Sequence, residues 1–421
     1  MRTTFLTRWI PFPPLGGAAM RNWQNINLMT SLGPVDVFAA VRRPFIPAEA
    51  AHPRAIERLW IEPVENDAGS SHGANKSVFS LPIWLRPFFF ERRVITAFNQ
   101  FIDQVRPDLI VVEELALAPL VLKGARHHIP VIYDAHNVES QLWAHMLTQN
   151  SRFGVRSRMW LHAIKTTERR LAQRCNRIWV CSAHDRAAFA THVGAGHAVD
   201  VVNNGLSSGF YSSCSSSRGE KAAAGRDFIF LGTYTYKPNE VAAKILIEEI
   251  MPRMRPRIPG ARLVLVGRGA RPWMHEAARQ NPAVIVTGEV ADVRPFLASA
   301  AAMIVPLTIG SGTRLKILEA FASRCPVITT TKGAEGLGVV DGTHLLYAED
   351  PEAFLHQIER LISDPGLSVS LTNNAHDLFA RNFSWDAIGT SVKASVIAAF
   401  PMAARGQSAG AKEAKTRRAP S

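Results

Sequence analysis

AAMIVPLTIGSGTRLKILEAFASRCPVITTTKGAEGLG, residues 301–338, carries the alternation that decides the fold of this chain. Ala301–Leu307 is a short apolar run of the kind that forms a buried parallel strand. Gly310-Ser311-Gly312 ends it, and Thr313 is placed to cap a helix over residues 313–323, where Leu315, Ile317, Leu318, Phe321 and Ala322 recur at helical spacing. Pro326 opens a second apolar strand, Val327–Thr331, which runs into the glycine-rich turn Lys332–Gly338. A strand, a glycine loop and a helix mouth bearing Arg314 and Lys316 describe an anion site, because free backbone N–H groups and the helix dipole both favour negative charge there. Each cation that reaches a phosphate oxygen would contribute roughly 1.5–3 kcal/mol. Glu319 interrupts the apolar helix and is expected to face a hydroxylated ligand beside the phosphates rather than the core.

The whole chain fits this picture. Its 421 residues suggest two domains, and 47% hydrophobic with 20% charged residues supports a sizeable core. A net charge of +13 asks for an acidic partner, whether nucleic acid, an anionic membrane or a polyanionic small molecule. Much of that charge sits in a run from Arg152 to Arg177, with Glu168 as the one acid inside it, and in the tail beyond Phe400, which reads as solvated disorder rather than a nucleic-acid arm. Cys175, Cys181, Cys214 and Cys325 show neither metal-ligand spacing nor a disulfide framework, so reduced thiols are expected. The N-terminus lacks the apolar core of a signal peptide, and no window holds the roughly 18 uninterrupted apolar residues of a membrane span.

Outward from residues 301–338, strand and helix patterns alternate along both halves. Residues 3–10 read as a strand ending in Pro11-Phe-Pro-Pro-Leu-Gly-Gly17, followed by a helix over 18–32 and a strand over 35–41. Residues 42–80 show little periodicity and read as a long excursion, and Trp84–Phe90 with flanking arginines suits either the start of a core helix with prolines at its entry or a lipid headgroup region. The strand ending at Tyr133 empties into Asp134-Ala-His-Asn-Val-Glu-Ser140, which makes His136, Asn137 and Glu139 site candidates, since open α/β sheets place ligands at the carboxyl ends of their strands. Ser182 is positioned to cap the helix from Ala183. The Ser- and Gly-rich stretch 207–226 reads as an interdomain linker. In the second half, strands over 227–231, 262–266 and 284–287 exit into loops at 232–239, 267–269 and 288–290, with Asn239 and Asp292 as helix caps.

The combined set PFPPLGG (11–17), DAHNVES (134–140), NNGL (203–206), FLGTYTYKPN (230–239), LVLVGRG (263–269), VTGEVADVRPFL (286–297) and the GSGTRLKILEAF block resembles the retaining glycosyltransferases of the GT-B fold, family-4 type, the group 1 glycosyl transferases. The resemblance implies an α/β architecture of two Rossmann-like, doubly wound domains facing across a cleft, with a C-terminal helix crossing back to the first. On that basis the expected domains are residues 1–206, a linker 207–226, a nucleotide-sugar domain 227–383, a crossing helix 384–400 and a basic tail 401–421. It further implies a nucleotide-diphosphate sugar donor (UDP-, GDP- or ADP-linked) and a carbohydrate or lipid-linked acceptor. No cofactor, no metal and no nucleic-acid partner are expected, and transfer is expected to retain configuration in cell-surface or exported polysaccharide synthesis. A cytoplasmic location, with peripheral contact to the inner face of the membrane, completes the expectation.

Residue by residue, the resemblance gives Glu319 the ribose, Gly16 and Gly17 the donor phosphates, and His136 the transferred sugar, with Lys237 a looser match to a diphosphate lysine. Gly232, Gly267, Val290, Gly310, Gly312, Thr313 and Leu315 complete the expected donor contacts, Asn137 and Glu139 the acceptor contacts, and His136, Arg314 and Lys316 are the expected catalytic groups. Two departures stand out. The family's first glutamate position, eight residues before Glu319, holds Ser311, and the loop that commonly carries a phosphate-binding arginine reads Gly232-Thr233. A nicotinamide dehydrogenase is excluded by the missing GxGxxG set. A nucleotide-sugar epimerase and a non-catalytic nucleotide-sugar- or carbohydrate-binding protein stay open beside the transferase.

Overall fold

Two fully parallel sheets carry the chain. In the computed structural model, which describes residues 1–13, 17–42, 53–64, 92–124, 128–148, 154–194, 196–217, 225–310 and 312–400, the residues group into two compact units. The first comprises Met1–Val202 together with the residues from Gly389 onward, and the second Asn203–Ile388. Gly16, Ser311, Trp84–Phe90 and the tail 401–421 lie outside the described residues.

The first unit holds seven strands: β1 (Thr3–Thr7), β2 (Val35–Arg42), β3 (Arg58–Val64), β4 (Leu109–Val112), β5 (Val131–Ala135), β6 (Arg177–Val180) and β7 (Val199–Val201). Their order is β3-β2-β1-β4-β5-β6-β7, so the winding reverses between β1 and β4. The inner strands read Leu-Ile-Val-Val or Val-Ile-Tyr because helices cover both faces, and every residue of β1, β4 and β5 is buried. Strand β3 departs from the reading of 42–80 as an irregular excursion. It is an edge strand, half-buried and containing Pro63, so it lacks the apolar run by which its neighbours are recognised.

The second unit holds β8 (Asp227–Leu231), β9 (Arg262–Val266), β10 (Val284–Gly288), β11 (Ala302–Val305), β12 (Val327–Thr329) and β13 (Leu346–Tyr347), in the order β10-β9-β8-β11-β12-β13. Here the winding reverses between β8 and β11. Helix starts follow local chemistry: Asp350 and Asp364 cap Pro351–Ser363 and Pro365–Asn382 by accepting from Ala353 N and Leu367 N, each with proline in the first turn. Ser182 caps Ala183–Val193 as expected, accepting from Asp185 N at 3.1 Å. Asp292 accepts from Arg294 N at 2.9 Å at the start of Arg294–Ser299.

Three expectations are corrected. The stretch 207–226 is not a plain linker, because it contains the helix Ser208–Ser217, whose Tyr211 is buried. Thr313 does not cap the helix of the 301–338 block. That helix runs Leu315–Ala322, Arg314 occupies the cap position without a side-chain cap bond, and the Thr313 hydroxyl instead accepts from Asn204 Nδ2 at 3.0 Å. Asn239 likewise lies inside Lys237–Ile245, behind Tyr236 at the cap position, and its amide turns inward.

The loops leaving β8 and β9 meet backbone to backbone. Gly267 has a φ of +136°, and a Cβ there would stand 2.0 Å from the carbonyl oxygen of Gly232. Gly288 also has positive φ, at +73°, yet nothing lies within 4 Å of its would-be Cβ. Gly267→Ala is therefore expected to lower unfolding stability by at least ~2 kcal/mol, and Gly288→Ala by only about 1 kcal/mol. Urea unfolding followed by far-UV circular dichroism measures both, and equal losses would contradict this account of the loop contact.

Candidate functional site

Open α/β sheets bind ligands outside the carboxyl ends of the strands, where the winding reverses. In the first unit that position is occupied by a buried ionic network. Glu113 follows β4 directly, and the register Val112 to Tyr133 sets it beside Asp134 of β5. The helix Gly17–Thr30 lays Arg21, Asn22 and Asn25 against them. Arg21 is 2% exposed, donates from Nε at 2.9 Å and Nη2 at 2.5 Å to Asp134, and reaches Val202 O from Nη1 at 2.7 Å. Asn25 Nδ2 adds a bond to Asp134 at 2.8 Å. Asp134 is thus paired and saturated.

Glu113 is not. It is fully buried, its Oε2 lies 3.1 Å from His136 Nε2, and its Oε1 has no partner. Burial is the main force pushing its carboxyl up, to about 7, with the His136 bond opposing. His136 feels burial as a downward force, but the bond to Glu113 and the charge of Asp134 outweigh it and raise the ring. Sequence spacing showed no metal-ligand cluster, whereas the fold brings ligand-type atoms of Glu113, Asp134 and His136 within 4.8 Å of one another. Arg21 already supplies the positive charge at this point, so the three act as an ion-pair and hydrogen-bond network. Asn137 follows His136 directly, and Glu139 opens the helix Glu139–Thr148. Burial, then Glu168 and Glu114, raise the Glu139 carboxyl. Gly17 opens the first helix and is exposed.

In the second unit the reversal point is occupied by cations. Arg314, 7% exposed, is held by two carbonyls: Nη1 donates to Gly312 O and Nη2 to Lys332 O at 3.3 Å, which ties the loop after β11 to the loop after β12. Its Nε is buried without a partner. Lys316 Nζ donates to Asn239 Oδ1 at 2.7 Å and stands 4.0 Å over the Phe230 ring. Neither cation forms an ion pair among the described residues. Burial lowers both, taking Lys316 down to about 7 against the charge of Glu319. Glu319, one turn further along the helix, accepts from the Tyr211 hydroxyl at 3.0 Å, and burial raises its carboxyl.

The remaining candidates divide. Gly310, with a φ of +124°, faces Pro238 and the Arg314 guanidinium, and Gly312, also at positive φ, precedes Thr313 and Leu315 on the same loop. Gly232 packs on Asn239, and Gly267 on Gly232. Lys237 is not drawn into this group, since it is 71% exposed and pairs with Glu240. Val290 lies half-buried in the turn after β10. Sequence reasoning missed Glu113, Arg21, Asn22, Asn204 and Tyr211. A charged Glu113-Glu114 pair closing an apolar strand was the available signal for the first. Tyr211 had none, being set among serines.

Comparison with known proteins gives the same division. Residues 35–208 match the model described as Glycosyltransferase Family 4, and residues 225–364 the model described as Glycosyl transferases group 1. Among solved structures, sucrose-phosphate synthase from Thermosynechococcus elongatus is similar with a TM-score of 0.69 at 16% identity, covering 95% of this chain and 100% of that one. HepE from Anabaena in complex with UDP gives 0.63 at 16% identity over 94% and 100%. The lipopolysaccharide outer core galactosyltransferase WaaB in its apo form gives 0.61 at 13% over 94% and 99%. At such identities the likeness is one of fold. A search of curated proteins by sequence returns no match.

The Tyr211–Glu319 bond makes a test. A carboxyl raised in the folded state binds its proton more tightly there than in the unfolded chain, so its contribution to stability falls as pH rises above the ordinary carboxyl value. Tyr211→Phe removes the donor that opposes this rise. The variant is expected to lose about 1–3 kcal/mol at pH 8 and less at pH 5, read by unfolding at both values. A loss independent of pH would show that the hydroxyl does not support the carboxylate.

Proposed function

This chain belongs to the family-4, group 1 glycosyltransferases, and on that premise we propose that it moves a sugar from a nucleotide-diphosphate donor to an acceptor hydroxyl with retention of configuration. One observation carries the reading. Arg314 is buried and Lys316 half-buried, neither has a carboxylate within ion-pair distance among the described residues, and both sit where the second sheet reverses its winding. An unpaired buried cation is costly, and a diphosphate supplies what these two lack. Glu319 on the same helix, with one oxygen taken by Tyr211, keeps the other for a ribose hydroxyl. HepE, whose structures are described in complex with UDP and with UDP-glucose, makes uridine nucleotides the first donors to test.

In this reading the leaving group is a nucleoside diphosphate, and the charge that develops on it is met by Arg314 and Lys316 without a metal. The departing phosphate oxygen then takes the proton of the attacking acceptor hydroxyl on the same face, which gives retention. His136 of the first unit contacts the transferred sugar, and Asn137 and Glu139 the acceptor. The basic helix Val155–Arg174 favours an anionic, membrane-borne acceptor of the kind used in cell-surface or exported polysaccharide synthesis. No helix among the described residues is long and apolar enough to cross a membrane.

Thermal-shift measurement with UDP, GDP and ADP identifies the base, and transfer from a labelled donor separates catalysis from binding alone. The non-catalytic reading, prompted by Ser311 at the first glutamate position, expects a shift without transfer. Lys316→Ala is expected to lower turnover at least about 100-fold with little change in acceptor KM, as for loss of a group acting on developing charge. An unaltered turnover number would remove Lys316 from the chemistry.

The lysine also makes binding proton-linked. With its ammonium lowered to about 7, Lys316 is mostly neutral at pH 8 in the free protein and protonated when a diphosphate occupies the site. Calorimetry at pH 8 in buffers of different ionisation enthalpy should show uptake of about one proton per nucleotide bound, falling toward none at pH 6. Buffer-independent heats at pH 8 would contradict the assignment.

A further inference from the structure

The network at the carboxyl ends of β4 and β5 contains a charge that nothing in the proposed transfer reaction uses. Asp134 is matched by Arg21 and Asn25. Glu113, fully buried beside it, has one oxygen without any partner and the other against His136 Nε2. The groups facing His136 are Glu113 from the end of β4, Asp134 on its own strand, Arg21 and Asn22 from the first helix, and Cys181 after β6, whose Sγ donates to the His136 carbonyl.

Asn22 decides which way the hydrogen lies. With its amide turned so that the nitrogen faces inward, that nitrogen has three acceptors in reach: Ala18 O at 2.8 Å, Glu113 Oε2 at 2.7 Å and His136 Nε2 at 3.0 Å. A primary amide has only two hydrogens. With its two hydrogens on the two shorter contacts, Ala18 O and Glu113 Oε2, Asn22 leaves His136 Nε2 to bring its own hydrogen to the carboxylate 3.1 Å away. Nδ1 takes no protein partner among the described residues and is left as the ring nitrogen that can meet a ligand.

We propose that Glu113 is the positioning residue for His136: it holds Nε2–H, fixes the ring and its tautomer, and presents Nδ1 to a hydroxyl of the transferred sugar. The carboxylate stabilises the imidazolium, in which Nδ1–H is a donor to that hydroxyl oxygen. When the ring is neutral, Nδ1 becomes an acceptor instead. Glu113 thus sets the pH range over which the donor form persists. Burial alone would push the ring the other way, so the carboxylate is what raises it above its ordinary value.

This inference rests on the transferase reading for its kinetic arm only, and a spectroscopic arm tests it without turnover. Long-range nitrogen-15 spectra of ring-labelled histidine in the full chain, assigned with His136→Asn, should show the His136 ring titrating above the ordinary imidazole value. Above its titration the ring should be the Nε2–H tautomer. In Glu113→Gln the titration is expected to move down by ~1 pH unit or more, and in Glu113→Asp to return part of the way. In kinetics, the limb of kcat/KM that falls with rising pH should move down with it, with nucleotide affinity unchanged within about 2-fold. A wild-type ring found as the Nδ1–H tautomer, or a titration unmoved by Glu113→Gln, would overturn the proposal even if that variant folds poorly, because the tautomer is read on the unaltered protein. A shifted ring titration without any transfer activity would uphold the positioning role and defeat the transferase reading instead.

Discussion

A buried guanidinium and a half-buried ammonium, neither ion-paired among the described residues, constrain the loops around them in the second unit. Removing an ionised group from water without a counter-charge is among the costliest acts in folding. The chain meets that cost with whatever neutral electron density it has. Arg314 is lodged on the carbonyls of Gly312 and Lys332, and Lys316 on the amide oxygen of Asn239 and the face of Phe230. These partners come from the end of β8, the helix Lys237–Ile245 and the loops after β11 and β12, so the cations also tie those elements together. Crowding also accounts for the glycines at 232 and 267, where side chains would meet Asn239 and a backbone carbonyl, whereas Gly310 is set by its φ of +124°.

The first unit presents the opposite polarity at the equivalent place in its sheet. Two carboxylates emerge on neighbouring strands against one guanidinium, and an imidazole makes up part of the difference. In both units the feature lies at the reversal of winding, β1/β4 in one and β8/β11 in the other, where the helices on either side diverge and leave backbone ends uncovered. One doubly wound plan, used twice, therefore yields a cationic loop cluster and a carboxylate–imidazole network.

The cationic loop proposed as an anion site was legible as a pattern because all its residues are local. Gly310, Gly312, Arg314, Lys316 and Glu319 fall within ten residues, and glycines followed by basic residues before an apolar helix have a specific physical reading. His136 was legible from its place after an apolar strand. What escaped needed the tertiary structure. Glu113 acquires meaning only through a partner 23 residues away, and Arg21 through one 113 residues away. Arg21, Asn22 and Asn25 look like the wet stripe of a surface helix and are in fact its buried one. The cap expected at Thr313 failed because Asn204 claims that hydroxyl. β3 failed for want of hydrophobic patterning at a sheet edge.

The helix Ser208–Ser217 bears on how this protein can be dissected. By composition alone, a cut near residue 226 would free the second sheet cleanly. Yet Asn203 bonds to Asn382 O, Asn204 to Thr313, and Tyr211 to Glu319, so the serine-rich segment belongs structurally to the second unit. A recombinant fragment begun at Asp227 would retain every strand of that sheet and still lose the hydroxyl that steadies Glu319. The intact module starts at Asn203.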